Sequence, residues 1–177
     1  IGLLAPIVNW ATNRDNRLFR LIIEAISGIH RNAQIPRFHA RTFSLRAQST
    51  KDKVDSNGPA GGRKVVIYDT CFVEYNSPSI GIAAQKVLAK NGVETTVVYP
   101  TCCGMPLLER GDIEGVCTQA QEVARTLCPW IDKGYDVVAL VPSCALMMKS
   151  TWPLYLPDDP AIKAPVSYTH LTLPTNS

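Results

Sequence analysis

Six cysteines are spread over 177 residues, and four of them stand where chemistry is at stake: Cys71 in "DTCFVEYNSPSIG", adjacent Cys102 and Cys103 in "TCCGMP", and Cys144 in "VPSCALMMKSTWP". Nothing in the sequence argues for export, so these thiols point to metal ligation, redox exchange or burial, not to a disulfide framework. A bond between Cys102 and Cys103 would demand a distorted peptide unit. Two neighbouring sulfurs can instead serve one centre from different angles, or one can ligate while the other stays free.

The elements that must position them are legible from residue 64 onward. "KVVIYD" (64–69), "VETTVVYP" (93–100) and "YDVVALVP" (135–142) read as buried strands by length and β-branched content. Between the first two, Ile80, Ala83, Ala84, Val87 and Leu88 form a helical stripe, with Ser77 or Ser79 as cap and Asn91-Gly92 as stop. Between the second and third, Ile113, Val116, Ala120, Val123 and Leu127 form another, capped by Asp112, with Pro129 starting a separate short turn. Strand and helix alternating at this spacing predict an α/β fold, with a parallel sheet of three or more strands and flanking helices.

In such a sheet ligands gather at the carboxyl ends of the strands, where loops meet helix N-termini. Cys71 follows the first strand, Cys102 and Cys103 the second, and Cys144 the third. All four therefore fall on one edge. Helix N-termini there turn backbone N–H groups inward, which favours thiolates and an anionic cluster. Cys117 and Cys128 belong to the second helix, and both read as small buried hydrophobes.

These motifs resemble the CCG cysteine-rich domain of iron–sulfur oxidoreductases, a family that takes in the C subunit of anaerobic glycerol-3-phosphate dehydrogenase and the B and D subunits of heterodisulfide reductase. The resemblance covers residues 64–164, and "NRDNRLFRLIIEAISGIHRNAQIPRFHARTF" is similar to the family's stretch between its ferredoxin-type clusters and its first CCG domain. It implies an iron–sulfur cluster, of the 4Fe–4S type, held by Cys71, Cys102, Cys103 and Cys144. It further implies an electron-transfer subunit serving a dehydrogenase partner that oxidises sn-glycerol 3-phosphate, with electrons passing toward a quinone. The family's fullest pattern ends in C-x-x-C, and here Val141 stands in the first of those positions, which speaks against a five-thiolate cluster and leaves open a four-cysteine site or a three-cysteine site shared with a second CCG domain. Two other functions fit the residues alone: thiol–disulfide exchange at Cys102 and Cys103 without metal, or a structural zinc site, which lacks its usual C-x-x-C pairs.

Around the thiols, Gly104 permits a tight turn, Pro106 and Pro142 shape the rims, and Tyr75, Asn76 and Ser143 are within reach to donate hydrogen bonds to sulfur. Met147 and Met148 read as packing, and Trp152 as closing the domain edge. His30 and His39 match no metal spacing. "RGD" at 110–112 reads as a helix start, and no cell-adhesion role is expected of it.

Up to residue 65 the chain holds eleven Lys and Arg against four Asp and Glu, and beyond it seven against eleven. This basic arm, 1–48, carries one amphipathic helix with Leu18, Leu21, Ile22, Ala25, Ile26 and Ile29 on one face; docking to a partner subunit or a membrane surface is expected, not nucleic-acid binding. Residues 49–63 read as a flexible linker and 64–165 as the CCG domain. Residues 166–177, "VSYTHLTLPTNS", resemble a translated sequencing adaptor and are expected to be non-native. No apolar run approaches the roughly 18 residues of a membrane span. A cytoplasmic protein, peripheral at most to the membrane face and part of a longer chain, is expected.

Overall fold

A computed structural model describes residues 4–49 and 53–170, with side chains to 165. The three β-branched runs form β1 (Lys64–Tyr68), β2 (Glu94–Val98) and β3 (Asp136–Ala139). All pair in parallel in the order β2-β1-β3-β4, where β4 is the two-residue Thr169–His170. β1 is central, with Val66 aligned to Thr96 on one side and to Val137 on the other.

The chain leaves β1 through α4 (Cys71–Tyr75) and α5 (Pro78–Lys90) to reach β2, then returns through α6 (Met105–Glu109) and α7 (Ile113–Ile131) to β3 on the far side of β1. Strand order thus reverses about β1, which opens a crevice at the carboxyl edge. Alternate β1 side chains feed two cores. Val66 and Tyr68 pack with α7 residues Val116, Ala120, Val123 and Leu127, whereas Val65 and Ile67 pack with Val73, Leu88 and Phe43. The α/β expectation holds, with helices on both faces of the sheet.

Helix boundaries follow local chemistry. α5 has Pro78 at its first turn, where the missing N–H is harmless, and ends at Asn91 before Gly92 with φ 87°. Asp112 Oδ1 accepts the Gly115 N–H at 2.9 Å and caps α7 as expected. Pro129 does not start a separate turn; it lies inside the last turn of α7, where losing one backbone donor is tolerated because the helix ends at Ile131. After β3 come α8 (Pro142–Leu146), a π-helical turn (Met147–Thr151), α9 (Trp152–Tyr155) and α10 (Pro160–Tyr168), which packs on α7.

Toward the N-terminus stand α1 (Ala5–Ala11), α2 (Arg17–Ser27) and α3 (Phe43–Ser49). α2 is the expected amphipathic helix, closed by Gly28 at φ 72°, yet its apolar stripe stays exposed at Leu18, Leu21, Ile22 and Ile26. The described part of the stretch expected to be a flexible linker is tied to the end of α5: Asp55 N–H donates to Ala89 O and Ala60 N–H to Asn91 O, each at 2.9 Å. Gly58 permits this approach, since a Cβ there would lie 2.3 Å from the Asn91 carbonyl carbon. Residues 171–177 of the expected non-native tail, and 50–52 of the linker, lie outside the described residues.

Candidate functional site

The thiols stand where short helices begin beyond the strand ends. Asp69 N–H donates to Val98 O at 2.9 Å and carries the β1–β2 ladder one step further. Thr70 then caps α4, its hydroxyl accepting from Val73 N–H, so Cys71 is the first helical residue. After β2 the backbone turns through Gly104, at φ 90°, which is the N-cap of α6. That left-handed conformation suits glycine, and it sets Cys102 and Cys103 just outside the helix. Val141 is the N-cap of α8, and Cys144 lies in that helix's single full turn.

The four sulfurs meet two by two. Cys71 Sγ and Cys102 Sγ are 3.9 Å apart, and Cys103 Sγ donates to Cys144 Sγ at 3.3 Å. Cys103 and Cys144 are buried, whereas Cys71 and Cys102 are partly open to solvent. Among the described residues no group of three or more His, Cys, Asp and Glu side chains is disposed to hold a metal ion.

The contacts split the thiols into proton holders and proton releasers. Hydrogen bonding to Cys102, then burial, pushes the Cys71 thiol up; hydrogen bonding to Cys102 and Cys144, then burial, pushes Cys103 up. Cys102 is held well below the ordinary thiol value by hydrogen bonds from Cys103 and Cys71, aided by the Gly104 and Cys103 backbone N–H groups. Cys144 is lowered chiefly by its bond from Cys103, with Ser143 contributing. The contacts thus favour the ionised form at Cys102 and Cys144 and the protonated form at Cys71 and Cys103. Ionising all four would stack like charges in one crevice, and only added positive charge would offset that repulsion.

Sequence reasoning did not anticipate several supporting groups. Trp152 is fully buried, and its indole N–H donates to Cys103 O at 3.1 Å, fixing the backbone of the more buried vicinal cysteine. Tyr68 lies beneath the site, its hydroxyl donating to Thr101 O at 2.8 Å; burial and then the four thiols push its pKa up. Asp69 is wholly buried, and neither oxygen has a hydrogen-bond partner of ordinary geometry, although its carboxyl lies close enough to that of Glu74 for the two to share a proton. Burial first, then Glu74, raises Asp69 to about 9. Burial alone would raise Glu74 as well, but hydrogen bonds from Asp69 and Ser44 bring it below its usual value. A bulky indole late in the chain and a carboxyl just past a strand were the available signals.

Other expected residues separate into those at the site and those elsewhere. Ser143 helps to lower the Cys144 thiol, whereas Asn76 donates to Arg37 O and Tyr75 packs edge-on against Tyr99. Cys117 and Cys128 are only partly buried, not fully as expected, and Cys128 donates to Ala161 O at 3.5 Å. Met147 and Met148 are buried core. His30 borders Glu24, and His39 lies by Arg46. Val141 packs against both cores and offers no ligand.

The donor set suits an iron–sulfur group chemically: four soft sulfurs share one edge, Cys102 and Cys144 are shifted toward ionisation, and backbone N–H groups at residues 72, 103, 104 and 105 face the thiols.

Residues 65–149 match the family described as "CCG: Cysteine-rich domain". The chain is 28% identical over 156 residues to the C subunit of anaerobic glycerol-3-phosphate dehydrogenase from Escherichia coli K12, covering 84% of this chain and 37% of that protein. It is 28% identical over 107 residues to the B subunit of fumarate reductase (CoM/CoB) from Methanothermobacter marburgensis, covering 59% of this chain and 21% of that protein. The chain therefore spans well under half the length of either relative. No solved structure matches it.

Proposed function

From a chain whose residues 65–149 match the CCG cysteine-rich domain family, we propose an electron-transfer subunit of an anaerobic oxidoreductase, with Cys71, Cys102, Cys103 and Cys144 holding an iron–sulfur cluster of the 4Fe–4S type. The observation that carries this reading is the convergence of thiols from three separate strand ends, with sulfur pairs at 3.9 and 3.3 Å. When bound, such a cluster supplies one-electron transfer with little ligand movement. The chain's own residues contribute the surroundings: Trp152 holds Cys103, the backbone N–H groups favour thiolate, and burial shields Cys103 and Cys144 from water.

On the analogy of the glycerol-3-phosphate dehydrogenase relative, electrons would arrive from a dehydrogenase partner acting on sn-glycerol 3-phosphate and leave toward a quinone. Residues 1–48 would connect to a ferredoxin-like module, and 166–177 would be non-native. A place at the cytoplasmic membrane face would be peripheral, since no helix among the described residues is long and apolar enough to cross a membrane.

The 3.3 Å approach of Cys103 and Cys144 favours a second reading, in which these two, not the vicinal pair, exchange with a disulfide. Forming their S–S bond releases two protons and passes two electrons to an incoming disulfide, which is reduced to two thiols. Anaerobic reconstitution with iron and sulfide separates the readings. The cluster reading expects bound iron with matching acid-labile sulfide, lost in Cys102→Ser and Cys144→Ser and kept in Cys117→Ser. Protein that takes up no sulfide but forms a reversible Cys103–Cys144 disulfide would establish the second.

A further inference from the structure

The arginines of the arm, scattered in sequence, are gathered by the fold. A cavity of about 420 Å³ lies against the first part of α2 and is lined by Arg14, Arg17, Arg20, Leu21, Arg31 and Asn32. Four arginines therefore border one space. Arg17 and Arg20, three residues apart on one helix, are like-charged neighbours, an arrangement that costs stability unless something answers it.

Little within the described residues does. Glu24 is committed to Arg31, with Nε to Oε2 at 2.6 Å, and also borders His30. Asp15 lines the adjacent cavity together with Arg14 and Arg37 but pairs with neither, and Arg14 and Arg17 form no ion pair or side-chain hydrogen bond among the described residues. α2 begins without a side-chain cap and without an acidic residue in its first turn, so its positive end is also unanswered.

Arg20 adds an independent sign. It is 1% exposed, and its Nε and one terminal nitrogen donate to the carbonyls of Arg31, His30 and Ala33 at 2.8, 3.2 and 2.6 Å. Its other terminal nitrogen, Nη1, is buried with no partner. A buried cationic donor left unsatisfied is destabilising, and an ordered water or a bound anion can complete it.

We propose that this cavity is a binding site for a phosphate group, supplied either by a soluble phosphate ester or by the headgroup of an anionic lipid. Guanidinium forks match phosphate oxygens bidentately, and several together bind a dianion or a diester through short charge-assisted bonds. Arg14 and Arg17 would supply the free forks, while Arg20, clamped by three carbonyls, would form the fixed wall. The site shares no residue with the thiol crevice and does not depend on the reading given to it.

The test uses the full chain, with inorganic phosphate titrated by calorimetry and co-sedimentation with phosphatidylglycerol or phosphatidylcholine vesicles. The variant is Arg14→Gln/Arg17→Gln, which removes no internal partner, with exposed Arg63→Gln/Arg110→Gln as the control of equal charge. Phosphate binding weakened at least tenfold by the first pair, and less than twofold by the control, supports the site and a soluble source. Selective sedimentation with phosphatidylglycerol that is lost in the first pair alone supports the site and a headgroup source. Equal losses in both pairs, wild-type binding in the first pair, or no binding to either probe overturns the proposal.

Discussion

Asp69 and Trp152 flank the thiols at the scale of single residues, and each acts through burial. Trp152 donates to Cys103 O from a fully buried ring, so Trp152→Phe keeps most of the packing and strands a buried carbonyl. The expected cost is about 1–3 kcal/mol in urea unfolding, together with faster alkylation of Cys103 in the metal-free protein; unchanged alkylation would deny the positioning role. Asp69 acts on pH dependence. Its folded value, raised to about 9 from an ordinary 3.8, means that folding takes up a proton between those limits. Stability carried by this group is therefore full at low pH and declines as pH rises through the window, with a slope of up to about 1.4 kcal/mol per pH unit. Asp69→Asn stays neutral throughout, so its loss of stability between pH 5 and 8 should be smaller than the wild type's. Equal losses in denaturant midpoint would show that Asp69 is ionised in the folded protein.

Elements differ in how far their apolar stripes predict burial. α2 and α7 carry similar stripes, yet Leu127 on α7 is wholly buried between the helix and the sheet, whereas Ile26 on α2 is 83% exposed. Leu127→Ala should cost about 2–5 kcal/mol by leaving a cavity, and Ile26→Ala should change the unfolding midpoint hardly at all. A comparable cost at both positions would mean that the α2 face is covered in solution. The same contrast explains what was legible in the sequence. Strands 64–68, 94–98 and 136–139 were readable because β-branched runs bounded by turn residues have few other uses, and they put the four cysteines on one edge. Their ends run shorter than read, since the ladder stops where the chain turns to deliver each thiol. α4, α6 and α8 span only five residues each, too few to display a helical period. α3 was illegible because Phe43, Leu45 and Ala47 recur every second residue, which is not a helical period. Its meaning comes from Gly81, where a Cβ would lie 2.5 Å from the Phe43 ring, so the ring fits only against a bare backbone.

Across the whole molecule, the arm and the thiol domain are joined at α4, the helix that begins with Cys71. Glu74 accepts Ser44 N–H at 2.8 Å and Ser44 O–H at 2.7 Å, Tyr75 O accepts His39 N–H at 2.7 Å, and Asn76 Nδ2 donates to Arg37 O at 3.1 Å. Phe43, next to Ser44, is wholly buried in the core beneath β1 and α5. One carboxylate thus caps α3 and anchors the arm beside a candidate ligand. Burial opposes its charge, but the bonds from Asp69 and Ser44 outweigh that, and Glu74 sits below its usual value of 4.5. A lowered carboxylate contributes stability above its unfolded value and loses it as pH falls through the folded one, the opposite sign to Asp69. Glu74→Ala should therefore free the arm at neutral pH: amide exchange over residues 39–46 should accelerate, with global stability lower by about 1–3 kcal/mol. Wild-type protein should show the same local acceleration only on acidification below about the ordinary glutamate value. Because Cys71 opens the same short helix, Glu74→Ala should also accelerate alkylation of Cys71, relative to wild type, more than that of Cys144. Uniform acceleration at both cysteines would mean that the arm and the thiol edge move as one body, and the anchoring role of Glu74 would be lost with it.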